Sequence, residues 1–187
     1  MTKSGRSGAV LPWALACLFV AGIVHIVTVL AMPSLAREDA YARLGGSTAG
    51  VALLPDAATA QSMPFQDPAA VMAVCRFDLD RGPARVRSLV NGDALVAISF
   101  HDRSGRIFYS TTDRAALRGK IDVLLVDAQQ LDAIEASDPE DQAPQELRLV
   151  TPTRAGFVLV RALVEQVGGK AAATQAARAV SCGPERG

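Results

Sequence analysis

The sequence predicts a mainly β protein of the α+β class, with a single N-terminal transmembrane helix followed by a small antiparallel β-sandwich-like domain with short helices. Three observations predict it. A long apolar stretch without charges lies near the N-terminus. Apolar and polar residues then alternate with a period of two, as in strands that bury one face. Turn signals recur roughly every 8–12 residues, a spacing typical of sandwiches and barrels.

The composition excludes several functional classes. Half of the 187 residues are hydrophobic, and the 19 Lys and Arg residues balance the 19 Asp and Glu residues. Such a chain is neither intrinsically disordered nor as basic as a nucleic-acid-binding domain. Three cysteines are too few for a disulfide scaffold, and two histidines offer little for a metal site. We therefore expect no cofactor, no metal and no nucleic-acid partner.

Residues 9–32 predict a transmembrane helix whose partner is the lipid bilayer. The stretch from Ala9 to Ala31 is almost wholly apolar. As a helix it rises about 35 Å, enough to cross a hydrocarbon core of about 30 Å. Trp13 lies at the depth of the interfacial aromatic belt. Pro33 marks the expected exit of the helix.

The charges around this span predict its orientation. Lys3 and Arg6 precede the span, whereas Arg37 after it is followed at once by Glu38 and Asp39. The positive-inside rule then places residues 1–8 in the cytoplasm and residues 33–187 outside it.

A cleaved signal peptide is an alternative interpretation of the same segment. Ser34-Leu35-Ala36 has the small-x-small pattern of a cleavage site, but the apolar stretch is longer than a usual signal peptide core. Cys17 also hints at a lipoprotein box, out of register. We favour the uncleaved anchor. His25 lies inside the span, where a neutral ring bonded to a nearby carbonyl is the simplest interpretation and a functional group is the alternative.

Residues 33–65 predict a juxtamembrane helix and a linker. Ser34 can cap a short helix over residues 34–44, which Gly45 and Gly46 end. The following stretch up to Asp67 is rich in small residues and proline, which is typical of a tether. The extracytoplasmic domain then occupies residues 66–187.

Four strands in an antiparallel meander are predicted for the first half of this domain. The first strand alternates from Val71 to Leu79, and the second runs over residues 84–90. Asn91-Gly92 is a strong hairpin signal before a third strand over residues 93–101. A turn at residues 102–105 leads to a fourth strand over residues 106–110.

The second half mixes strands and helices. Residues 112–118 predict a helical turn, and residues 121–126 predict a central strand because their apolar run is almost continuous. Asp127 and Gln130 have the form of a capping box, which predicts a helix over residues 129–136. An exposed loop follows, then strands over residues 146–151 and 156–164. The second of these also fits a helical period, but its β-branched residues favour a strand. Residues 170–180 predict a final helix.

Cys75 and Cys182 are candidates for a disulfide. Outside the cytoplasm two cysteines are expected to oxidise. Unpaired buried thiols and redox chemistry are the alternatives that remain open.

Catalytic signals are sparse, and we predict no catalytic residue. His101 stands beside Asp102 at a strand end without a nucleophile motif, and a solvated turn is the simpler interpretation. Tyr109, Asp113 and Arg114 lie in a segment that combines aromatic, hydroxyl and charged groups. We therefore name Tyr109, Asp113, Arg114 and His101 as candidate ligand-binding residues. Phe108 and Tyr109 should alternate, with one ring in the core and the other on a surface.

Three segments resemble the bacterial family called domain of unknown function 1254. They are Cys75–Pro83, Phe108–Ser110 with Asp113 and Arg114, and Pro152–Gly156 leading to Arg161. The resemblance covers residues 66–165 and implies a β-rich domain of the bacterial envelope, with no established activity or site. Longer members have a second domain, so the resemblance implies a short, membrane-anchored, single-domain member.

These observations lead to one expected function and one alternative. We expect a single-pass protein of the bacterial inner membrane, with a periplasmic domain that acts as an accessory or binding module for an envelope partner or a small ligand. The alternative is an envelope enzyme, or a component of one, with a polar pocket near Tyr109–Arg114 and His101. An enzyme predicts that these side chains converge on one concave pocket. A binding module predicts that they are scattered and that a sheet edge or apolar patch is exposed.

Overall fold

A computed structural model describes residues 7–35, 40–43, 50–55, 66–89, 94–116, 119–139, 144–166 and 168–185. The chain divides into two compact units, Met1–Glu38 and Asp39–Gly187.

The first unit contains the helix α1 (Ser7–Leu35). Its stretch Val10–Met32 has a mean hydropathy of 2.5 over 23 residues, long and apolar enough to span a membrane. The hydroxyl of Thr28 donates to the carbonyl of Val24 at 2.8 Å, so this polar group is satisfied within the helix. The helix continues two residues beyond the exit expected at Pro33.

The second unit contains nine strands and three α-helices within the described residues. In chain order they are α2 (Ala40–Arg43), β1 (Ala52–Leu53), β2 (Ala70–Asp78), β3 (Ala84–Leu89), β4 (Val96–Asp102), β5 (Ile107–Thr112), β6 (Lys120–Val126), α3 (Ala128–Ser137), β7 (Leu147–Val150), β8 (Ala155–Leu163), α4 (Lys170–Ala179) and β9 (Ser181–Pro184). Two 3-10 turns lie at Leu79–Arg81 and Asp113–Ala115.

The strands form two sheets. Sheet A has the order β1-β2-β8-β4-β5, and all its neighbours are antiparallel. Sheet B has the order β7-β6-β3-β9, in which only the β6–β7 pair is parallel. The predicted class, mainly β with short helices, is confirmed.

The core lies between the apolar faces of the two sheets. Alternate residues of each strand enter it, because successive side chains of a strand point to opposite faces. Ala173 and Ala177 of α4 are fully buried in the same core, so small side chains bring this helix close to β2 and β8. Large buried residues that fill the core are Phe77, Phe100, Leu79, Ile98, Leu125, Val86, Val123, Val158 and Val160.

The predicted meander is wrong, although its strands exist. β2 and β4 belong to sheet A, whereas β3 between them belongs to sheet B. The chain crosses between the sheets through the turn at Leu79–Arg81, where Gly82 has a φ of 108° that favours glycine. Asn91-Gly92 lies outside the described residues, and the strands on either side of it do not pair. Only the β4–β5 hairpin of the meander is present.

The predicted linker is partly folded. Ala52 and Leu53 form β1 and pair with Val74 and Ala73, so the edge of sheet A begins inside the stretch assigned to a tether. Of the juxtamembrane helix predicted over residues 34–44, the structure shows α2 at Ala40–Arg43, and residues 36–39 and 44 lie outside the described residues.

Most other local predictions are confirmed. Asp127 and Gln130 form the expected capping box, and α3 runs one residue further at each end than predicted. β8 is a strand at the centre of sheet A rather than a helix. The strand β9 was not predicted, because four residues of mixed polarity carry no periodic signal.

A disulfide joins the two sheets. Cys75 of β2 and Cys182 of β9 are bonded, with 6.4 Å between their Cα atoms and 107 residues between them in the chain. Both cysteines are buried. The unpredicted strand β9 therefore brings the chain's C-terminal segment to the core.

Candidate functional site

A bulge in the β4–β5 hairpin sets the position of Tyr109. The pairing of the two strands shifts between Phe100 and His101, which leaves Phe108 as an extra residue on β5. Phe108 and Tyr109 consequently both pack against Phe100, with ring centroids 6.3 and 5.9 Å away. The expectation that the two rings would alternate faces is wrong for this reason.

His101 lies on the other face of sheet A. Its ring stacks on Phe157 at 4.6 Å and is almost fully buried. Nδ1 lies 3.0 Å from the carbonyl oxygen of Gly105, and Nε2 lies 2.9 Å from the hydroxyl of Ser99. Since the carbonyl can only accept, these partners assign the proton of a neutral ring to Nδ1 and let Nε2 accept from Ser99. Both nitrogens are thus used in holding the hairpin.

Asp102 is also committed to the hairpin turn. Its Oδ1 accepts from the hydroxyl of Ser104 at 2.6 Å and from the backbone N–H of Arg106 at 3.0 Å. Burial alone would raise the pKa of Asp102, but these hydrogen bonds and the Arg106 guanidinium outweigh it and hold the pKa below its usual value. The carboxylate therefore stays charged as a structural acceptor.

Asp113 and Arg114 occupy the 3-10 turn that follows β5. Oδ1 of Asp113 is buried and has no hydrogen-bond partner. Arg114 is exposed, and no ion pair involves it in the part of the chain that the structure describes. The exposed guanidinium of Arg114 is accessible to a ligand, whereas Oδ1 of Asp113 and the His101 ring are buried.

The four candidate residues do not converge on one pocket. Tyr109 packs on the core side of sheet A, and His101 stacks on Phe157 on the opposite side. Asp113 and Arg114 lie beyond the end of β5. The ligand-binding role of Tyr109, Asp113, Arg114 and His101 remains a prediction, and the structure places His101 on the face of sheet A opposite to Tyr109.

An open cleft lies on the core side of β5, where the two sheets part. It has a volume of about 570 Å³ and reaches from β5 to β6 and to the segment before β7. Tyr109, Ile121, Val123 and Leu147 are among the apolar residues that line it, and Lys120 is one of its charged residues. A second cleft of about 430 Å³ includes Ser99, Ser110, Thr112 and Arg161 of the opposite face. β5 therefore borders a cleft on each side.

The outer face of sheet B carries an ion-pair network that was not predicted from the sequence. Arg85 is close to three carboxylates, at 3.3 Å from Asp122, 3.1 Å from Glu146 and 3.0 Å from Glu185. Its side chain is only 17% exposed. The alternation of Arg85 and Arg87 in one strand and of Lys120 and Asp122 in its neighbour is the signal that would have revealed the network, had the pairing been known.

A second arginine extends this network towards α3. Arg148 pairs with Asp138 and Glu146. The hydrogen bond from Arg148 is the main reason that the pKa of Asp138 lies below its usual value, and the same contact raises the pKa of Arg148. The network joins four cations and four carboxylates, Arg85, Arg87, Lys120 and Arg148 with Asp122, Asp138, Glu146 and Glu185. Charge is thus balanced within it, which is typical of a structural role rather than an anion or cation site.

The geometry does not suggest a metal site in the described residues. No three His, Cys, Asp or Glu side chains are grouped there in a way that could hold an ion.

Comparisons with known proteins show similarity to solved structures alone. No family model and no curated protein matches the chain. The VPA0106 protein of Vibrio parahaemolyticus aligns over 65% of this chain and 29% of its own, at 9% identity and a TM-score of 0.48. An uncharacterized protein of Burkholderia cenocepacia aligns over 65% of this chain and 33% of its own, at 14% identity and a TM-score of 0.42. The matched region spans about a third of the length of each.

Proposed function

We propose that this protein is a single-pass protein of the bacterial inner membrane whose extracytoplasmic domain is a binding module for another envelope protein. The N-terminus lies in the cytoplasm, and the domain acts at the outer surface of the bilayer. The role is that of an accessory protein rather than an enzyme.

The flanking charges and the cysteines support this location. Lys3 and Arg6 precede the apolar helix, in agreement with a cytoplasmic N-terminus. Cys75 and Cys182 are bonded, and structural disulfides persist in oxidising compartments such as the periplasm.

The exposed edge of β5 beside its cleft is the observation that carries the binding role. Within the described residues β5 pairs with β4 alone, so its other edge offers unpaired backbone groups. The polar side chains that an enzyme would need in one pocket are distributed over two faces of sheet A. Scattered polar groups and an open sheet edge are what a binding module requires.

We further propose that the chain belongs to the family of domain of unknown function 1254. The support is the resemblance of residues 66–165, which includes the step from Asp78 to Pro83. In the fold this step is the crossing from sheet A to sheet B, and Arg154 donates to Asp80 there at 2.9 Å. The segments that resemble the family at Pro83 and Arg154 therefore meet at one end of the sandwich.

Proximity cross-linking in intact membranes tests the binding role. The full chain is compared with a version whose residues 9–32 are replaced by an unrelated transmembrane helix. We expect the same envelope protein to be recovered with both, because the domain carries the interaction. Recovery that depends on the native span, or recovery of no partner by either version, contradicts the proposal.

A reporter fusion tests the topology separately. Alkaline phosphatase folds to an active enzyme only where its disulfides form. Fused after residue 187, it should be active, and fused after residue 8 it should be inactive. The opposite pattern would place the domain in the cytoplasm.

A further inference from the structure

β5 is the longest edge strand that the structure describes. It has six residues, whereas β1 has two and β7 and β9 have four each. β9 also accepts a hydrogen bond from Gly50 to the carbonyl of Cys182 and ends in Pro184, so its edge is partly covered. The edge of β5 is therefore the one best able to take another strand.

The direction of the unpaired groups on β5 follows from the hairpin. The N–H of Asp102 donates to Arg106, so the backbone groups of Asp102, Phe100 and Ile98 point towards β5. Their partners on β5 include Tyr109, opposite Phe100, and Thr111, opposite Ile98. Ser110 and Thr112 alternate with Tyr109 and Thr111 along β5. Their N–H groups therefore point away from β4, to the open edge.

Apart from the bulge at Phe108, this edge lacks the usual protection against added strands. Natural edge strands are commonly guarded by proline, by charged residues or by short length. Ile107–Thr112 contains neither a proline nor a charge. A strand added here would continue sheet A and extend its inward side chains into the cleft lined by Tyr109 and Leu147.

The charges near the C-terminal end of β5 indicate which strand would fit. Arg114 is exposed beyond this end and has no ion pair among the described residues. Lys120 lies on the rim of the same cleft. Lys120 is already paired with Asp122 at 3.3 Å, so carboxylates on an incoming segment would be complementary to Arg114.

We propose that the partner binds by strand addition to β5, through an extended segment that alternates apolar with polar residues and carries carboxylates at its N-terminal end. In antiparallel pairing that end lies beside Arg114. The proposal rests on the binding role above and specifies the mode and the chemistry of the partner.

A synthetic peptide provides the probe. Fluorescein-labelled Glu-Glu-Val-Thr-Val-Thr-Val-amide is titrated with the full chain in nanodiscs, and anisotropy reports binding. We expect a Kd on the order of 100 µM, because one added strand forms a small interface. The control Glu-Glu-Val-Pro-Val-Pro-Val-amide keeps the charge but loses the backbone donors, and it should bind at least ~10-fold more weakly.

Matched variants locate the interaction. Ser110→Pro removes the N–H that faces the open edge and should weaken binding at least ~10-fold, while Ser110→Ala keeps that N–H and should bind as the wild type does. Arg114→Glu should weaken binding several-fold, and Arg178→Glu on α4 should not. Thr111→Pro removes an N–H that faces β4 and should lower stability, whereas Ser110→Pro should not.

Several outcomes would overturn strand addition. Equal binding of the two peptides, or equal binding by Ser110→Pro and Ser110→Ala, would show that β5 is not the site. Concentration-dependent dimers that Ser110→Pro abolishes, without peptide binding, would identify a second copy of the chain as the occupant. If Arg114→Glu binds the peptide as tightly as the wild type does, the proposal that the partner carries carboxylates beside Arg114 is wrong.

Failure here is distinguishable from failure of the binding role. If cross-linking recovers an envelope partner equally with Ser110→Pro, the module binds by another surface and only strand addition is wrong. If the peptide binds at β5 but no partner is recovered from membranes, the edge is competent and the proposed function is wrong.

Discussion

Gly156 shows how one residue sets the distance between strands. It is buried in β8 opposite Phe77 of β2, and a Cβ atom at this position would overlap the carbonyl oxygen of His101 and Cζ of Phe77. The His101 oxygen belongs to the backbone, which cannot yield as a flexible side chain would. Glycine is therefore required here by packing on both sides.

Replacing this glycine should be costly. We expect Gly156→Ala to lower the free energy of unfolding by about 3 kcal/mol, since an extra methyl group overpacks the core. Urea titration of the full chain in detergent, followed by circular dichroism, measures it. The neighbouring Ala155→Gly should cost about 1 kcal/mol or less. If Gly156→Ala and Ala155→Gly lower the free energy of unfolding equally, the clash at residue 156 does not occur.

Replacing Arg85 should also lower the stability of the domain. Arg85→Met removes the cation and leaves Asp122, Glu146 and Glu185 facing one another. We expect a loss of about 2 kcal/mol, below the cost for a fully buried pair because water reaches part of the network. Arg81→Met, at a side chain that is 67% exposed, should change stability by about 0.5 kcal/mol or less in the same titration. If Arg85→Met and Arg81→Met lose similar amounts of unfolding free energy, the network does not have a structural role.

Helix α3 illustrates how an element is anchored at its start. Asp127 caps it by accepting from the N–H of Gln130 at 2.8 Å, and Arg154 donates to the same carboxylate at 2.7 Å. These contacts, the Gln130 N–H first, hold the pKa of Asp127 below its usual value. A carboxylate with a lowered pKa stabilises the fold above its unfolded pKa, and this contribution is lost as the pH falls through the folded pKa.

The cap therefore predicts an acid dependence. Asp127→Asn keeps an oxygen that can accept from Gln130 but removes the charge. We expect the variant to be less stable than the wild type at pH 7, with a difference that shrinks below about pH 4, where an unfolded aspartate protonates. Urea titrations at several pH values test it, and Asp132→Asn, on the exposed side of α3, serves as the control. A difference that is the same at pH 7 and in strong acid would exclude the charge as its cause.

Strands were easier to predict than their partners. The alternation around Cys75 and Phe77 identifies β2, and that around Val86 identifies β3, because each strand buries one face. Pairing is a different matter. Asn91-Gly92 suggested a hairpin, yet the strands on its two sides lie in different sheets, where each can bury its apolar face against the other sheet. The Asn-Gly dipeptide reports only a local preference of the backbone for a turn. Burial of the apolar faces of β3 and β4 in different sheets outweighs that preference.

The disulfide between Cys75 and Cys182 connects two distant parts of the chain within the domain. The disulfide holds β2 of sheet A to β9 of sheet B across 107 residues. Closing a loop of this length restricts the unfolded chain, which the loop-entropy account converts to about 4–5 kcal/mol.

Removal of both cysteines should lower stability by about that amount. The double variant Cys75→Ala with Cys182→Ala avoids leaving a reactive thiol. Cys17→Ser, in α1, should leave the unfolding of the domain unchanged. Wild-type protein unfolded in the presence of dithiothreitol should match the double variant. A wild-type protein that is insensitive to reductant would contradict the predicted contribution.

The candidate site divides in the same way between local and distant information. The sequence placed Tyr109, Asp113 and Arg114 near one another because they are neighbours in the chain. It could not place His101, since the bulge at Phe108 and the stacking on Phe157 depend on how β4 meets β5 and β8. The network around Arg85 was missed for a related reason, as the three carboxylates that surround Arg85 come from three separate segments.

The amino-acid sequence by itself determined the apolar span, the buried face of each long strand, the capped start of α3 and the inventory of reactive groups. Each of these is expressed by residues within one or two turns of one another, so periodicity and composition reveal it. Only the tertiary structure decided which sheet a strand joins, that β9 returns to carry Cys182, and that β5 pairs with β4 alone among the residues that the structure describes. These features arise when apolar faces far apart in the chain are buried together, and no local pattern encodes which faces will meet.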